Sequence, residues 1–251
     1  LHPILLHWGF ITIRSYGALM ALSFVLGITL ALYLNRKAGR PDDPMLDLAT
    51  VIMICAVVGA RILYVIVQWP SFEHDLLGIF RVWEGGLVYY GGLVGAGLGA
   101  YAWLRLKRLP AWAYGDAVAP GLALGQVTGR LGCWFNGCCY GREDAAHGVI
   151  FPALGDNIPH LPTMLYESAF CLVLAVSLVW FWRRLRFDGQ VFCVYVLAYA
   201  VWRFGIEFLR GDPERGVLVS TALSPSQWIS LVGAAWAISM LVFLSRAPRR
   251  S

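Results

Sequence analysis

Residues 45–67 read MLDLATVIMICAVVGARILYVIV, an apolar run in which Asp47 and Arg61 are the only charged residues. A helix of about 20 apolar residues is long enough to cross the roughly 30 Å hydrocarbon core of a bilayer. Six more such runs occur, so the sequence predicts an all-α integral membrane protein with seven transmembrane helices. The predicted spans are Tyr16–Leu34, Met45–Val67, Gly86–Leu104, Ala111–Thr128, Met164–Trp182, Gly189–Phe208 and Ser226–Leu244.

The composition supports the same class of protein. Of the 251 residues, 59% are hydrophobic and 14% are charged, and the mean hydropathy is +0.64. Soluble domains are nearer half apolar and a quarter charged. No internal repeat, soluble domain or cleavable signal peptide is recognisable, so residues 1–251 are expected to form a single transmembrane domain whose first span directs insertion.

Basic residues are concentrated at alternate ends of the predicted spans. Because cytoplasmic loops are enriched in lysine and arginine, those ends are expected to be cytoplasmic, with the N-terminus outside and the C-terminus inside. The net charge of +5 is therefore a topology signal, and no nucleic acid is expected as a partner. The residues concerned are Arg36, Lys37, Arg40, Arg105, Lys107, Arg108, Arg183, Arg184, Arg186, Arg246, Arg249 and Arg250.

The stretch GRLGCWFNGCCYG, residues 129–141, places an arginine among glycines at the outer end of the fourth span. Irregular backbone at membrane depth occurs only where it is buried in protein or lines a cavity. An ionisable residue there indicates a functional site. We therefore expect Gly129–Pro162 to leave the regular helix and to cap a cavity on the outer side.

Arginines recur at that side of the membrane. Arg203 and Glu207 are four residues apart, on one helical face. Taken alone, they would indicate a structural ion pair. Together with Arg130 and Arg210 they favour a pocket for an anionic headgroup, because arginine binds phosphate through two donors at once.

Glycines open the third span in the run RVWEGGLVYYGGL, residues 81–93. Paired glycines let the backbone approach a ligand closely. The alternative is helix packing through small residues, which explains Gly95, Gly97 and Gly99. Tyr16, at the start of the first span, fits an interfacial aromatic belt.

The six cysteines fall into two groups. Cys55, Cys171 and Cys193 lie within spans and are interpreted as small core residues. For Cys133, Cys138 and Cys139 three interpretations compete: a structural or disulfide role ranks first, a thiolate nucleophile second, and a metal site last, because no histidine or second cysteine pair accompanies them. No metal or organic cofactor is expected.

These motifs, in this order, resemble the bacterial prolipoprotein diacylglyceryl transferases over nearly the whole chain. That family also has seven spans with the N-terminus outside. The segments that carry the resemblance are Arg14–Gly17, Gly59–Arg61 with Tyr64, Phe80–Leu87, Gly91–Leu93, Asp116, Gly129–Gly132, Asn136–Gly137, Tyr140–Arg142, Pro162, Leu165–Glu167, Arg203–Arg210 and Ser226–Ile229.

The resemblance implies that phosphatidylglycerol donates its diacylglyceryl group to the lipobox cysteine in the signal peptide of a preprolipoprotein. A thioether forms and glycerol phosphate leaves, at the periplasmic side of the bacterial inner membrane. Because the lipid and the signal helix both come from the bilayer, the cavity should open outward and laterally. Catalytic positions by resemblance are Arg130, Arg203, Tyr90, Glu207 and Cys138; substrate-binding positions are Tyr16, Arg61, Gly91, Gly92, Cys133, Asn136, Gly141, Tyr166, Glu167 and Arg210.

The sequence departs from the family pattern at several site positions. Tyr90 stands where the family usually has histidine, Cys133 where it has asparagine, and Cys138 where it has glutamate. His160 is one residue away from the usual histidine position. These departures leave open a branch with another acceptor or with a Cys138 or Cys133 nucleophile, and a phosphatidylglycerol-binding protein without catalysis.

Overall fold

The structure, a computed structural model, describes residues 4–8, 11–73, 75–152, 154–211 and 223–246. Seven long helices dominate these residues, and each coincides with a predicted apolar run. They are α1 Ser15–Lys37, α2 Asp43–Val67, α3 Tyr89–Leu106, α4 Ala111–Asn136, α5 Thr163–Trp182, α6 Gln190–Ile206 and α7 Pro225–Ser245. Short 3-10 helices lie at Trp69–Ser71, Leu76–Phe80, Val82–Glu84 and Glu207–Leu209.

The helices have the apolar surface of a membrane protein. Five segments, Ser15–Lys37, Asp43–Val67, Thr163–Trp182, Gln190–Leu209 and Pro225–Ser245, are long and apolar enough to cross a bilayer. Large apolar side chains on them are exposed rather than buried, among them Val25, Ile54, Val176 and Val232. Contiguous apolar surface on this scale is expected where a protein contacts lipid.

Two small antiparallel sheets accompany the helices and leave the predicted all-α class unchanged. Strand β1 (Ile4–Trp8) pairs with β2 (Ile11–Arg14), and β3 (Val149–Ile150) pairs with β4 (Pro159–His160). These strands are too short for hydropathy to detect them. Isoleucine, valine and threonine favour extended backbone there.

The chain divides into two compact units, one of residues 1–33 and 115–251 and the other of residues 34–114. In the first unit, α1 and α4 touch through small residues: a Cβ added to Gly27 would lie 2.9 Å from the carbonyl oxygen of Gly121. The hydroxyls of Ser23 and Thr128 hydrogen-bond across the same contact at 2.7 Å. Small residues at helix contacts are typical of membrane proteins.

The same unit has an apolar core between α4, α5 and α6, and a buried aspartate anchors α6 within it. Asp116 of α4 accepts hydrogen bonds from the N–H groups of Gly189 (2.6 Å) and Phe192 (2.9 Å). Helix α6 has no side-chain cap of its own, so Asp116 serves as its N-cap from a neighbouring helix. The core residues are Ala119, Ala123, Leu174, Ala175, Leu178, Val191 and Tyr195.

In the second unit, α2 and α3 pack closely along glycines. Side chains at Gly59 or Gly91 would clash with the other helix's backbone, and one at Gly95 would clash with the carbonyl of Cys55. A side chain at Gly99 would clash with Cys55 too, but one at Gly97 would meet nothing within 4 Å. Packing therefore explains Gly95 and Gly99 as predicted, while that explanation is wrong for Gly97.

Helix α4 extends further than predicted, and this corrects the expectation that Gly129 begins irregular backbone. It remains helical to Asn136. Its end is a Schellman motif: the N–H of Cys138 bonds to the carbonyl of Cys133, and that of Gly137 to the carbonyl of Trp134, both at 3.2 Å. Gly137 takes the left-handed conformation that this motif needs, with φ +73°. The irregular segment therefore begins at Gly137.

Candidate functional site

Three helices of the first unit converge on Arg130. Its Nη2 lies 2.7 Å from Oε1 of Glu167 on α5. The Tyr199 hydroxyl, on α6, donates to the same oxygen at 2.8 Å. The side chain of Glu167 is 4% exposed and that of Arg130 is 21% exposed. A buried carboxylate needs such partners, so Glu167 and Tyr199 fix the position of the Arg130 guanidinium.

Arg203 forms a second pair at the end of α6. Its Nη2 lies 2.7 Å from Oε2 of Glu207 and donates to the Ser226 hydroxyl of α7 at 3.1 Å. Both side chains of the pair are largely buried. The other terminal nitrogen of Arg203, Nη1, is also buried and has no hydrogen-bond partner among the described residues. A guanidinium carries five N–H donors, so this arginine still offers donors to an anion.

Both arginine pairs are linked to one face of α6 and its continuation. Tyr199, Arg203 and Glu207 follow one another at four-residue spacing, which places them one above the next on a helix. Tyr199 donates a hydrogen bond to Glu167, which pairs with Arg130, and Glu207 pairs with Arg203. Sequence analysis did not identify Tyr199 or Ser226. The four-residue spacing before Arg203 was the signal that could have identified Tyr199.

The segment after α4 is fixed between two other parts of the first unit. The N–H of Gly141 donates to the carbonyl of Leu161 at 2.7 Å, and Gly141 pairs with Arg210 in an isolated bridge. A Cβ on Gly141 would come within 2.7 Å of both the Leu161 side chain and the Leu209 carbonyl oxygen. Only glycine fits this close approach, which brings the backbone of Arg210 beside Gly141.

Cys133, Cys138 and Cys139 come together at the start of this segment, and their sulfur atoms all lie within 4.8 Å of one another. All six cysteines of the chain are free, so the disulfide form of the first-ranked interpretation is not present in the structure. Hydrogen bonds from the thiols of Cys133 and Cys138, with the charges of Arg130 and Arg210, hold the pKa of Cys139 below its ordinary value.

Other predicted site residues of the first unit lie near α4 and α5. Tyr16 is partly exposed at the start of α1, and a Cβ on Gly132 would lie 3.3 Å from its ring. Asn136 is exposed at the last position of α4, and Tyr166 is half-buried beside Glu167 on α5. His160 is buried, with its ring nitrogens 3.3 Å from the Gly141 carbonyl and 3.2 Å from Asp156.

Arg61, in the second unit, organises the loop between α2 and α3. Its guanidinium donates to four backbone carbonyls, and the rings of Tyr64 and Phe72 lie 5.4 and 5.5 Å from its Cζ. The carbonyls are those of Gly78, Ile79, Gly85 and Gly86, at 2.6 to 3.1 Å. This geometry makes Arg61 a clamp on that loop, while its contact with substrate stays a prediction.

The glycines before α3 are explained by the same clamp. Gly86 has φ +73°, and a Cβ there would lie 2.7 Å from Nη1 of Arg61 and would clash with the Tyr64 ring. Gly91 and Gly92 lie at the contact with α2. Tyr90 is half-buried and packs edge-to-face on Tyr89, with ring centroids 5.7 Å apart. The roles of Tyr90, Gly91 and Gly92 toward substrate stay predictions.

This fold and site define a helical integral membrane protein with arginine–carboxylate pairs buried among its helices. The family model of prolipoprotein diacylglyceryl transferases matches residues 3–243. The chain therefore belongs to the prolipoprotein diacylglyceryl transferase family.

Relatives of similar length support the same assignment. The chain is 36% identical over 233 residues to a phosphatidylglycerol–prolipoprotein diacylglyceryl transferase of Clostridium tetani, covering 91% of this chain and 92% of the relative. It is 35% identical over 255 residues to one of Nostoc sp., with 96% and 89% covered. It is 34% identical over 223 residues to transferase 2 of Clostridium perfringens, with 87% and 86% covered.

Proposed function

We propose that this protein, acting as one unit over residues 1–251, transfers the diacylglyceryl group of phosphatidylglycerol to the lipobox cysteine of a preprolipoprotein signal peptide. Family membership supplies the reaction, and the observation that carries it to particular residues is Arg203. Its Nη2 is engaged by Glu207 and Ser226, while its buried Nη1 has no partner in the described part of the chain. A phosphate oxygen is the ligand that such a donor suits.

The reaction breaks the bond between a glyceryl carbon and its phosphate oxygen. The acceptor thiolate attacks that carbon, a thioether forms, and the bonding electrons leave on glycerol phosphate. Negative charge therefore grows on the phosphate oxygens, where preorganised donors stabilise the transition state most. Arg130 and Arg203 are the donors we assign, with Glu167, Tyr199 and Glu207 as the residues that position them.

An apolar cavity near the end of α4 suits the acyl chains of the donor. Its volume is about 520 Å³, and it lies within the first unit between β1, α1 and Phe135. Phe135 is five residues beyond Arg130 on the same helix, which corresponds to a rise of about 7.5 Å and a rotation of about 140°. The cavity would hold hydrocarbon beyond the arginine along α4, on another face of that helix. The lining residues are Ile4, Leu5, Ser15, Ala18, Leu19, Leu22 and Phe135.

We infer that all seven helices span the inner membrane, with the N-terminus outside and the site toward the periplasm. The support is the positive-inside rule applied to the basic ends of α1, α3 and α5. In this topology the end of α4, the start of α5 and the end of α6 share the outer side. Both substrates would enter from the bilayer through a lateral opening.

The test is release of glycerol phosphate from phosphatidylglycerol by purified protein in detergent. We expect release to require a lipobox peptide, and to stop when serine replaces the peptide cysteine. Arg203→Lys should lower the rate about 10²–10³-fold, the usual cost of one lost transition-state donor, because lysine cannot bridge Glu207 and phosphate with a planar fork. Arg105→Lys, at the exposed end of α3, is the matched control and should retain activity.

Three results would contradict the proposal. Release that is independent of the peptide cysteine would indicate a phospholipase. Full activity of Arg203→Lys would remove this arginine from the site. Binding of phosphatidylglycerol without any release would show that the chain keeps the lipid site but does not catalyse transfer.

A further inference from the structure

A cluster of three thiols lies at the end of α4. Cys133 belongs to the last full turn of the helix, and Cys138 and Cys139 to the turn that follows. Their sulfur atoms lie within 4.8 Å of one another, and no disulfide joins them. Two isolated thiols could be brought together by chance packing, but three from the seven consecutive positions 133–139 at a helix end form a set of ligands.

The backbone holds the three residues in this arrangement. The Schellman motif turns the chain back over the helix end, so that Cys138 lies against the carbonyl of Cys133. Cys139 has φ +65°, a left-handed conformation that residues other than glycine rarely adopt. The carbonyl of Cys139 is held by the Thr163 hydroxyl at 2.8 Å. An uncommon conformation fixed on both sides indicates that the position of this thiol matters.

The spacing of the sulfur atoms fits one metal ion. A Zn²⁺–thiolate bond of about 2.3 Å in tetrahedral geometry places neighbouring sulfurs roughly 3.8 Å apart. The observed upper limit of 4.8 Å therefore requires the sulfurs to approach by at most about 1 Å. Cys138 and Cys139 are half-buried and Cys133 is buried, and an adjustment of this size is within the range of a change in a cysteine χ1 angle.

The surroundings suit a thiolate site with one open position. Trp134, Phe151 and Met164 pack around the cysteines and limit the access of water. His160 is nearby in the fold, but its ring nitrogens face Gly141 and Asp156. Three thiolates and a divalent ion carry a net charge of −1, and the charges of Arg130 and Arg210 act on the cluster.

We propose that Cys133, Cys138 and Cys139 bind one thiophilic d10 cation, Zn²⁺ or Cu⁺, through three sulfur ligands, which fixes the end of α4 to the turn that follows it. Thiolates select these ions over the hard cations that prefer oxygen ligands. Sequence spacing alone ranked a metal site last, because no histidine or second cysteine pair accompanies CxxxxCC. In the folded turn the three thiols lie close together, which their spacing in the sequence does not indicate.

The first test is elemental analysis of the full-length protein purified in detergent without chelator. We expect one zinc or copper ion per chain in the wild type and in the control variant Cys55→Ala, whose thiol lies on α2. Cys138→Ser and Cys139→Ser should each lose most of the metal. The identity of the ion distinguishes zinc from copper. Wild-type protein without either ion, or a Cys138→Ser variant that retains it, would overturn the proposal.

A second test does not depend on the variants folding. Metal-free wild type is titrated with Co²⁺, which should give the intense near-ultraviolet thiolate-to-cobalt absorption, and Zn²⁺ should displace it at one equivalent. Zn²⁺ should also protect these three cysteines, but not Cys55, from alkylation mapped by mass spectrometry. Absence of both effects, or a Cys133–Cys138 disulfide in the purified protein, would refute the site. Neither readout measures diacylglyceryl transfer, so a failure of the metal site can be distinguished from a failure of the proposed transferase function.

Discussion

The pair of Arg203 and Glu207 allows folding and catalysis to be tested separately. Its side chains are 15% and 2% exposed, and the charged atoms are 2.7 Å apart. Removing one member of a buried pair typically costs about 3–5 kcal/mol, because the other charge remains buried without compensation. Replacing both members with neutral residues of similar size is often close to neutral. Arg203→Ala alone would therefore confuse loss of folding with loss of function.

The experiment is a double-mutant cycle with Arg203→Met and Glu207→Gln. We expect each single variant to lose about 3–5 kcal/mol of unfolding free energy, and the double variant to recover at least about 2 kcal/mol relative to the less stable single variant. Stability is measured by denaturant titration of helicity in detergent, and transfer by glycerol phosphate release. All three variants should be inactive, since each disturbs the arginine assigned to the phosphate.

The exposed pair of Arg36 and Asp42, with side chains 65% and 31% exposed, is the matched control. The same cycle there should give no measurable coupling, because exposed ion pairs contribute little. If the stability losses of the two single variants at Arg203 and Glu207 simply add in the double variant, the buried ion pair is refuted. A stable, fully active double variant would instead refute the phosphate role of Arg203 and leave the structural argument intact.

Three further outcomes follow from contacts elsewhere in the chain. Asp116→Ala should lower the unfolding free energy by about 2–4 kcal/mol, because the N-terminus of α6 loses two charge-assisted hydrogen bonds. The exposed control is Asp188→Ala, and equal stability of the two variants in denaturant titration would contradict this prediction. Gly91→Ala should cost about 1–3 kcal/mol by overpacking α3 against α2, whereas Gly97→Ala, with open space around it, should not destabilise; the order of thermal midpoints checks this. Tyr199→Phe should lower the unfolding free energy by about 1.5–3 kcal/mol, because Glu167 loses a hydrogen bond. The exposed Tyr101→Phe is its control, and indistinguishable denaturation curves of the two variants would exclude the bond.

Hydropathy identified the helices because the membrane imposes one strong requirement on them. Backbone polar groups must be satisfied within each span, so apolar length predicts helix. Hydropathy does not locate the ends of the helices, because local capping interactions determine where each helix ends. Gly129 and Gly132 looked like breaks, but both lie within α4. A Cβ on Gly132 would lie 3.3 Å from the Tyr16 ring of α1, whereas one on Gly129 would meet nothing closer than 3.6 Å. The true end at Gly137 depends on a six-residue hydrogen-bond pattern that composition does not reveal.

The contacts within the candidate site could be predicted only in part, for a similar reason. Four-residue spacing identified Arg203 and Glu207 as neighbours, because a single helix determines that distance. The partner of Arg130 could not be found in this way, since Glu167 lies on another helix and their contact depends on packing. Arg61 shows the reverse case: a buried arginine in a span suggested a ligand, yet its donors are taken up by four carbonyls of its own loop.

The contrast between the arginines shows how the chain assigns them different tasks. Arg61 donates its hydrogen bonds to backbone carbonyls and so fixes a loop. Arg203 directs one terminal nitrogen to Glu207 and Ser226 and keeps the buried Nη1 without a partner in the described residues. Such a donor is already desolvated and oriented, so an arriving phosphate need not reorganise it, which is the condition for electrostatic stabilisation of a transition state. A carboxylate partner is therefore compatible with anion binding: Glu207 holds one edge of the Arg203 guanidinium, and under the proposed function the other edge would take the lipid headgroup.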